Sequence, residues 1–127
     1  MRRPISPTAH GAIDYTTVAA TLAAPMLLNF PKRAAGAAYA LAGGYLALSA
    51  LTDYPPALSR RVPLKAHGAA DTLLGMAIPA LPWMLGFARD RRARNFFLGL
   101  TGLTMAVTAL TDWNGNRRRG LRRLLPV

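Results

Sequence analysis

Four long apolar runs alternate with short, mostly basic segments along this chain of 127 residues. None of the runs contains a charged residue, and they occupy residues 16–31, 34–52, 72–88 and 95–111. A helix needs about 17 to 25 residues to cross the hydrocarbon layer of a membrane, and each run reaches that length once its polar ends are included. The pattern therefore predicts four transmembrane helices, at about residues 9–30, 34–53, 66–87 and 94–113.

The alternative to a membrane protein is a soluble four-helix bundle. Each helix of such a bundle would present a polar stripe to water, repeating about every 3.6 residues. The segments LAGGYLALSA (41–50) and TGLTMAVTAL (101–110) instead have small or apolar residues on every side. We therefore expect an all-α membrane protein, with residues 1–127 forming a single integral membrane domain.

The two halves of the chain repeat one another. AHGAIDY (9–15) recurs 57 positions later as AHGAADT (66–72), and ALTDY (50–54) recurs as ALTDW (109–113). A repeat of this completeness predicts two tandem, pseudo-symmetric helical hairpins, over residues 8–54 and 65–113. Because each hairpin has an even number of helices, both enter the membrane from the same side, and both chain termini share one face.

The charge of the chain is strongly positive, with sixteen Lys and Arg against five acidic residues and a net charge of +11. Ten of these basic residues fall on the face of the termini and six on the other face, which predicts cytoplasmic termini. Anionic lipid headgroups explain the charge, so no nucleic-acid partner is expected. The segment 114–127 is predicted to be a basic cytoplasmic tail lying on the lipid surface, with its charge on Arg117, Arg118, Arg119, Arg122 and Arg123.

Polar residues are concentrated in the repeated phrases, which contain both histidines and four of the five acidic residues. A helical rise of about 1.5 Å per residue puts these phrases at one end of the bundle, the cytoplasmic end. The predicted polar cluster consists of His10, Asp14, Thr52, Asp53, His67, Asp71, Thr111 and Asp112. Each histidine is expected to pair with the aspartate of a Thr-Asp step, either within its own hairpin or across the pseudo-two-fold axis, because negative charge at the C-terminal end of a helix needs a partner.

Two interpretations of this cluster stay open. It is either a clasp that holds helix ends together or a site for an ion, a proton or a small ligand, since polar residues at membrane depth are functional candidates. Two histidines and four aspartates form a weak metal pattern, so no metal or cofactor is expected. There is no arrangement of nucleophile and base, so catalysis is not expected either. The leading function is that of a structural or accessory subunit that associates with itself or with a larger membrane complex. The alternative function is a carrier or sensor that uses the cluster.

A proline-aromatic step late in the first helix of each repeat carries a family resemblance. LPWMLGF (81–87) and its counterpart APMLLNF (24–30) resemble the motif of the SPW-repeat family of small bacterial membrane proteins. The serine of that motif corresponds to Leu81 and Ala24, and its tryptophan corresponds to Met26 in the first copy. The resemblance implies a two-helix repeat in a multi-pass protein of the bacterial inner membrane, and it implies no particular activity.

Overall fold

The computed structural model describes residues 3–55 and 57–115, and this part of the chain is all-helical, without a strand. The elements are α1 (Pro7–Leu27), α2 (Lys32–Leu51), α3 (Leu64–Ala77), a 3₁₀ turn (Ile78–Ala80), α4 (Leu81–Met84) and α5 (Arg91–Leu110). Because α3, the turn and α4 follow one another without a gap, they form one rod, and the prediction of four helices is confirmed. The five tail arginines predicted to meet the lipid surface lie outside the described residues.

Two of the helices begin at side-chain caps. Ser6 accepts a hydrogen bond from the backbone N–H of Ala9 at 3.1 Å, and Pro7 occupies the first helical position of α1. Asp90 caps α5 in the same way, by accepting from the N–H of Ala93 at 2.9 Å. These side chains satisfy N–H groups that have no partner within the helix, and Pro7 has no such group to satisfy. The caps place both helix starts two or three residues earlier than the hydrophobic pattern does.

The first helical rod of each repeat ends in a left-handed residue. Asn29 has φ 52° and Gly86, its counterpart 57 positions later, has φ 76°. The next N–H in each copy, of Phe30 and Phe87, bonds back to the carbonyl of a proline five residues earlier, at 3.0 and 2.8 Å. This is the Schellman arrangement, which satisfies a terminal carbonyl and turns the chain toward the next helix.

Proline distorts the third rod, which the hydrophobic pattern predicts over residues 66–87. Proline has no N–H to donate and its ring clashes with the preceding turn, so the backbone tightens to 3₁₀ geometry at Ile78–Ala80 around Pro79. The α4 segment contains Pro82 and ends at Met84. In α1, by contrast, Pro25 lies within the last turn and does not divide the helix.

The interior has an aromatic end and a polar end. Helix α1 packs on α2, and α3 packs on α5. Phe30, Phe87 and Phe97 are buried together at the end where the two hairpins turn. At the opposite end, backbone hydrogen bonds join the two hairpins. The N–H of Ile5 donates to the carbonyl of Leu110, and the N–H of Val62, the counterpart of Ile5, donates to the carbonyl of Leu51. Equivalent positions of the two repeats therefore make equivalent contacts across the middle of the molecule.

The outer surface carries many large apolar side chains. Met26, Leu73 and Met84 are 84%, 68% and 75% exposed. One described helix, α2, is long and apolar enough to cross a membrane by length and composition.

Candidate functional site

Four buried side chains from the two hairpins meet at the polar end of the molecule. His10 and Asp14 lie one turn apart on α1, and His67 and Asp71 lie one turn apart on α3. Each offers one ligand atom, and these atoms all lie within 4.8 Å of one another. All four residues are buried, and both histidines are fully inaccessible to solvent. We refer to these four residues as the His/Asp centre.

The distances within the His/Asp centre are short and nearly equal. The Nε2 atom of His10 is 3.3 Å from Nε2 of His67, 3.3 Å from Oδ2 of Asp14 and 3.2 Å from Oδ2 of Asp71. The Nε2 atom of His67 is 3.0 Å from the Asp14 oxygen and 3.3 Å from the Asp71 oxygen. Five separations among these four atoms thus fall between 3.0 and 3.3 Å.

Two threonines hold the histidine rings from behind. His10 Nδ1 lies 2.7 Å from the Thr111 hydroxyl oxygen, and His67 Nδ1 lies 2.7 Å from that of Thr52. Each threonine hydroxyl donates its proton to the backbone carbonyl four residues before it, so its oxygen is left to accept from the ring. In its neutral form each ring therefore carries its proton on Nδ1, and its Nε2 faces the carboxylates of the His/Asp centre. Each threonine belongs to the other repeat from the histidine that it contacts.

The two carboxylates have different surroundings. Oδ2 of Asp14 accepts hydrogen bonds from the Tyr54 hydroxyl at 3.1 Å and from the Ser49 hydroxyl at 3.4 Å. Burial raises the pKa of Tyr54, which keeps its hydroxyl protonated and able to donate. Oδ1 of Asp71 has no hydrogen-bond partner among the described residues.

The repeat explains this difference between the carboxylates. The position of Tyr54 is occupied by Trp113 in the second half, and the position of Ser49 is occupied by Thr108. Trp113 donates its indole N–H to the carbonyl of Thr108 at 3.0 Å instead of to a carboxylate. Its ring packs edge-on to His10, with 5.0 Å between ring centroids. In the second repeat an indole ring therefore covers the His/Asp centre, whereas in the first repeat the Tyr54 hydroxyl donates a hydrogen bond to it.

The aspartates of the Thr-Asp steps lie outside the His/Asp centre. Within residues 3–55 and 57–115, the carboxylates that contact the histidine rings are those of Asp14 and Asp71. Asp53 has an oxygen 3.9 Å from the Arg60 guanidinium, and Asp112 accepts from the backbone N–H of residue 114 at 3.2 Å. The prediction that each histidine pairs with the aspartate of a Thr-Asp step is therefore wrong, because the neighbouring threonine reaches the ring instead.

Sequence reasoning also missed the roles of Ser49, Tyr54 and Trp113. The signal available was the aromatic residue that follows Thr-Asp in both copies. Taken singly, such a residue predicts a position at the membrane interface, where Trp and Tyr are common. Its repetition beside the other repeated polar residues would have been a reason to place it at the centre.

The His/Asp centre has room only for a very small ligand. A cavity of about 20 Å³ adjoins it, lined in part by Asp14, Asp71 and Tyr45. A single water molecule needs roughly 10–15 Å³ of this kind of space. A cavity of this size suits a single ion, a proton or one water molecule.

No protein-family model, curated protein or solved structure matches this chain. The resemblance to the SPW-repeat family therefore stays a prediction from the short motif.

Proposed function

We propose that the chain is an integral membrane protein with four spans and cytoplasmic termini, located in the bacterial inner membrane. The observation that supports this is the distribution of polarity. Large side chains such as Met26 and Met84 point outward, while alanines, threonines and the His/Asp centre lie inside. In water, an apolar surface of this kind would promote aggregation. In a membrane, hydrocarbon solvates the outer side chains and the polar groups satisfy one another within the bundle.

Its role is that of a structural or accessory subunit that associates with a second copy of itself. Two apolar grooves of about 360 and 340 Å³ separate the hairpins. They occupy equivalent places in the two repeats, since Ala40 lines one and its counterpart Gly99 lines the other. A Cβ atom added at Gly99 would have open space around it. Small residues let membrane helices approach closely. Because the two grooves are equivalent, each suits the same helix of another copy of this chain.

Cysteine crosslinking in native membranes tests this association. The chain contains no cysteine, so Ala40→Cys and Gly99→Cys each introduce a single thiol in one groove. Met26→Cys, at an 84% exposed position outside the grooves, is the matched control. We expect oxidation to give a covalent dimer with each groove variant at a higher yield than with the control. Monomer alone at both groove positions would show that the grooves do not receive a second copy.

The second candidate function is a carrier or sensor of an ion or proton, and the convergence of four ligand atoms favours it. Transport would require the closed His/Asp centre to open. Purified protein in lipid vesicles should then release a proton gradient faster than a His10→Asn/His67→Asn double variant does. Equal rates for the two proteins would exclude proton transport through the centre and leave the accessory role in place.

A further inference from the structure

We propose that the His/Asp centre binds one divalent transition-metal ion of the zinc class, with Nε2 of His10 and His67 and Oδ2 of Asp14 and Asp71 as its four ligands. This goes beyond the accessory role proposed above, which requires no metal. It also replaces the expectation from composition that the chain has no metal site. The composition shows only which ligand types are present, whereas the structure brings one possible ligand atom from each of the four side chains within 4.8 Å of the others.

The spacing of the four atoms fits tetrahedral coordination. Zinc binds histidine nitrogen and carboxylate oxygen at about 2.0–2.2 Å, in structural sites with tetrahedral geometry. Two ligands of such a site are separated by about 1.6 times the bond length, which is roughly 3.3 Å. The five separations in the centre range from 3.0 to 3.3 Å. The sixth pair, formed by the two carboxylate oxygens, is separated by up to 4.8 Å, so one ion would draw these two oxygens toward each other to complete the tetrahedron.

The hydrogen bonds behind the ligands are those that a metal site needs. A histidine that binds a metal through Nε2 commonly donates its Nδ1–H to a fixed acceptor, which sets the ring's orientation. Thr111 and Thr52 accept these bonds at 2.7 Å from His10 and His67. Ser49 and Tyr54 orient Asp14 in turn. The two imidazole ligands are therefore held in place by groups that do not compete for the ion, whereas Ser49 and Tyr54 donate to Oδ2 of Asp14, the ligand oxygen itself.

The electrostatics of the centre also favour a divalent cation. Two carboxylates are buried in the centre, and an isolated buried charge is unfavourable unless it is compensated. One divalent ion brings the two carboxylates to a net charge of zero. Oδ1 of Asp71, which has no hydrogen-bond partner among the described residues, belongs to a side chain only 3% exposed. Among the described residues, the hydroxyls of Ser49 and Tyr54 donate to Asp14 and not to Asp71.

The donor set selects the class of metal. Calcium and magnesium prefer six or more oxygen ligands, whereas imidazole nitrogen suits zinc, cobalt, nickel and copper. Four protein ligands fill a tetrahedral site, which is typical of structural rather than catalytic zinc. Each repeat supplies one histidine and one aspartate, so the ion would lock the two hairpins together.

Cobalt(II) is the probe for this site, because a tetrahedral Co²⁺ complex gives intense visible absorption that an octahedral one does not. The full chain is purified in detergent, stripped with a chelator and titrated with Co²⁺ and then with Zn²⁺. We expect one Co²⁺ per chain, the tetrahedral absorption bands, and loss of those bands as Zn²⁺ displaces cobalt. A folded, monodisperse protein that binds no stoichiometric Co²⁺, or that binds it without these bands, would overturn the proposal.

Isosteric variants identify the ligands. In His10→Asn and His67→Asn the amide N–H replaces the Nδ1–H that the threonine accepts, but the Nε2 ligand is removed. Both variants should lose the cobalt bands, while Asp53→Asn and Asp112→Asn, which change repeated aspartates outside the centre, should keep them. Thr52→Val should weaken Co²⁺ binding by about 10–100-fold. Bands that persist in the His10→Asn/His67→Asn double variant would place the metal elsewhere and overturn the proposal.

X-ray absorption of the wild-type protein loaded with Zn²⁺ covers the case in which these variants do not fold. We expect two imidazole and two carboxylate ligands at about 2.0–2.1 Å. A shell of six oxygens, or one without imidazole, would overturn the assignment. Groove crosslinking in metal-free membranes is scored independently, so failure of the metal site and failure of self-association give different results.

Discussion

At the scale of single residues, the threonine of each Thr-Asp step decides how the histidines are used. Thr52 and Thr111 lie at the ends of α2 and α5, and each hydroxyl both donates to its own helix and accepts from a buried ring. This dual bond orients His67 and His10 and leaves their Nε2 atoms facing each other. The aspartate next to each threonine contributes its backbone N–H to the bridge between hairpins.

Removing a threonine hydroxyl should therefore cost more than the loss of one helical hydrogen bond. In Thr52→Val the Nδ1–H of His67 is left buried without an acceptor, at a cost of about 1–3 kcal/mol in unfolding free energy. Thr72→Val is the matched control, because the Thr72 hydroxyl makes the same bond to the carbonyl four residues back and contacts no ring. Chemical unfolding in detergent measures both. Equal losses would mean that the bond to His67 contributes nothing to stability.

A glycine next to the His/Asp centre provides a second test at this scale. A Cβ atom at Gly68 would lie 3.2 Å from three atoms of the Trp113 ring, whereas one at Gly36 would meet open space. Alanine is favoured over glycine within a helix by up to about 1 kcal/mol, so Gly36→Ala should stabilise the protein. Overpacking costs about 1–3 kcal/mol, so Gly68→Ala should destabilise it. Thermal unfolding that gives the two variants the same sign would contradict the close packing of Trp113.

At the scale of elements, the ends of the first rod of each repeat show how local sequence positions the helices. Both rods finish in a left-handed residue followed by a buried phenylalanine, yet one copy uses asparagine and the other glycine. Glycine adopts this conformation without steric strain, and asparagine tolerates it better than most residues. The two turns are therefore the same structure with different residues.

The two turns should respond to mutation in opposite directions. Gly86→Ala places a Cβ in the left-handed region and should lower the unfolding free energy by about 1–2 kcal/mol. Asn29→Gly relieves that strain and should raise it by less than about 1 kcal/mol, because glycine gains freedom in the unfolded chain. Denaturant unfolding of the two single variants checks the signs. If Gly86→Ala were neutral, the φ of 76° at Gly86 would not be required by the fold.

At the scale of the whole molecule, large apolar side chains such as Met26 and Met84 lie on the outside, while the histidines and two aspartates are buried, a distribution that favours the membrane location proposed above. One helix meets the length and hydropathy expected of a membrane span. The other rods are interrupted by proline or have polar and basic residues at their ends, which lowers their average hydropathy. In the folded bundle, the polar side chains His10, Asp14, His67 and Asp71 of these rods are buried against one another and do not face the surroundings.

Reporter fusions test the predicted arrangement in the membrane. A fusion after Ser59 lies between the hairpins and should report the cytoplasmic side, while a fusion after Ala93 lies beyond the third rod and should report the opposite side. The expectation follows from an odd number of spans between the two positions. Equal signals at both positions would rule out the four-span topology, and soluble full-length protein would rule out the membrane assignment.

The sequence by itself determined the helical class and the two His-Asp pairs, His10 with Asp14 and His67 with Asp71, because these depend on local periodicity and on a repeat visible in the sequence. It also placed His10 and His67 at equal depth, since the rise of a helix converts position into height. The helical rise does not give the direction in which a side chain points around the helix axis. For that reason the sequence does not show whether the aspartate or the adjacent threonine of each Thr-Asp step contacts a histidine.

Only the tertiary structure decided which groups meet. His10 contacts Thr111 across 101 positions of sequence, and His67 contacts Thr52 across 15, so two equivalent bonds have unrelated separations along the chain. The convergence of four lone pairs depends on how the two hairpins pack side by side. No single helix contains that information, because each supplies at most half of the His/Asp centre, and the metal site that we propose exists only where the halves meet.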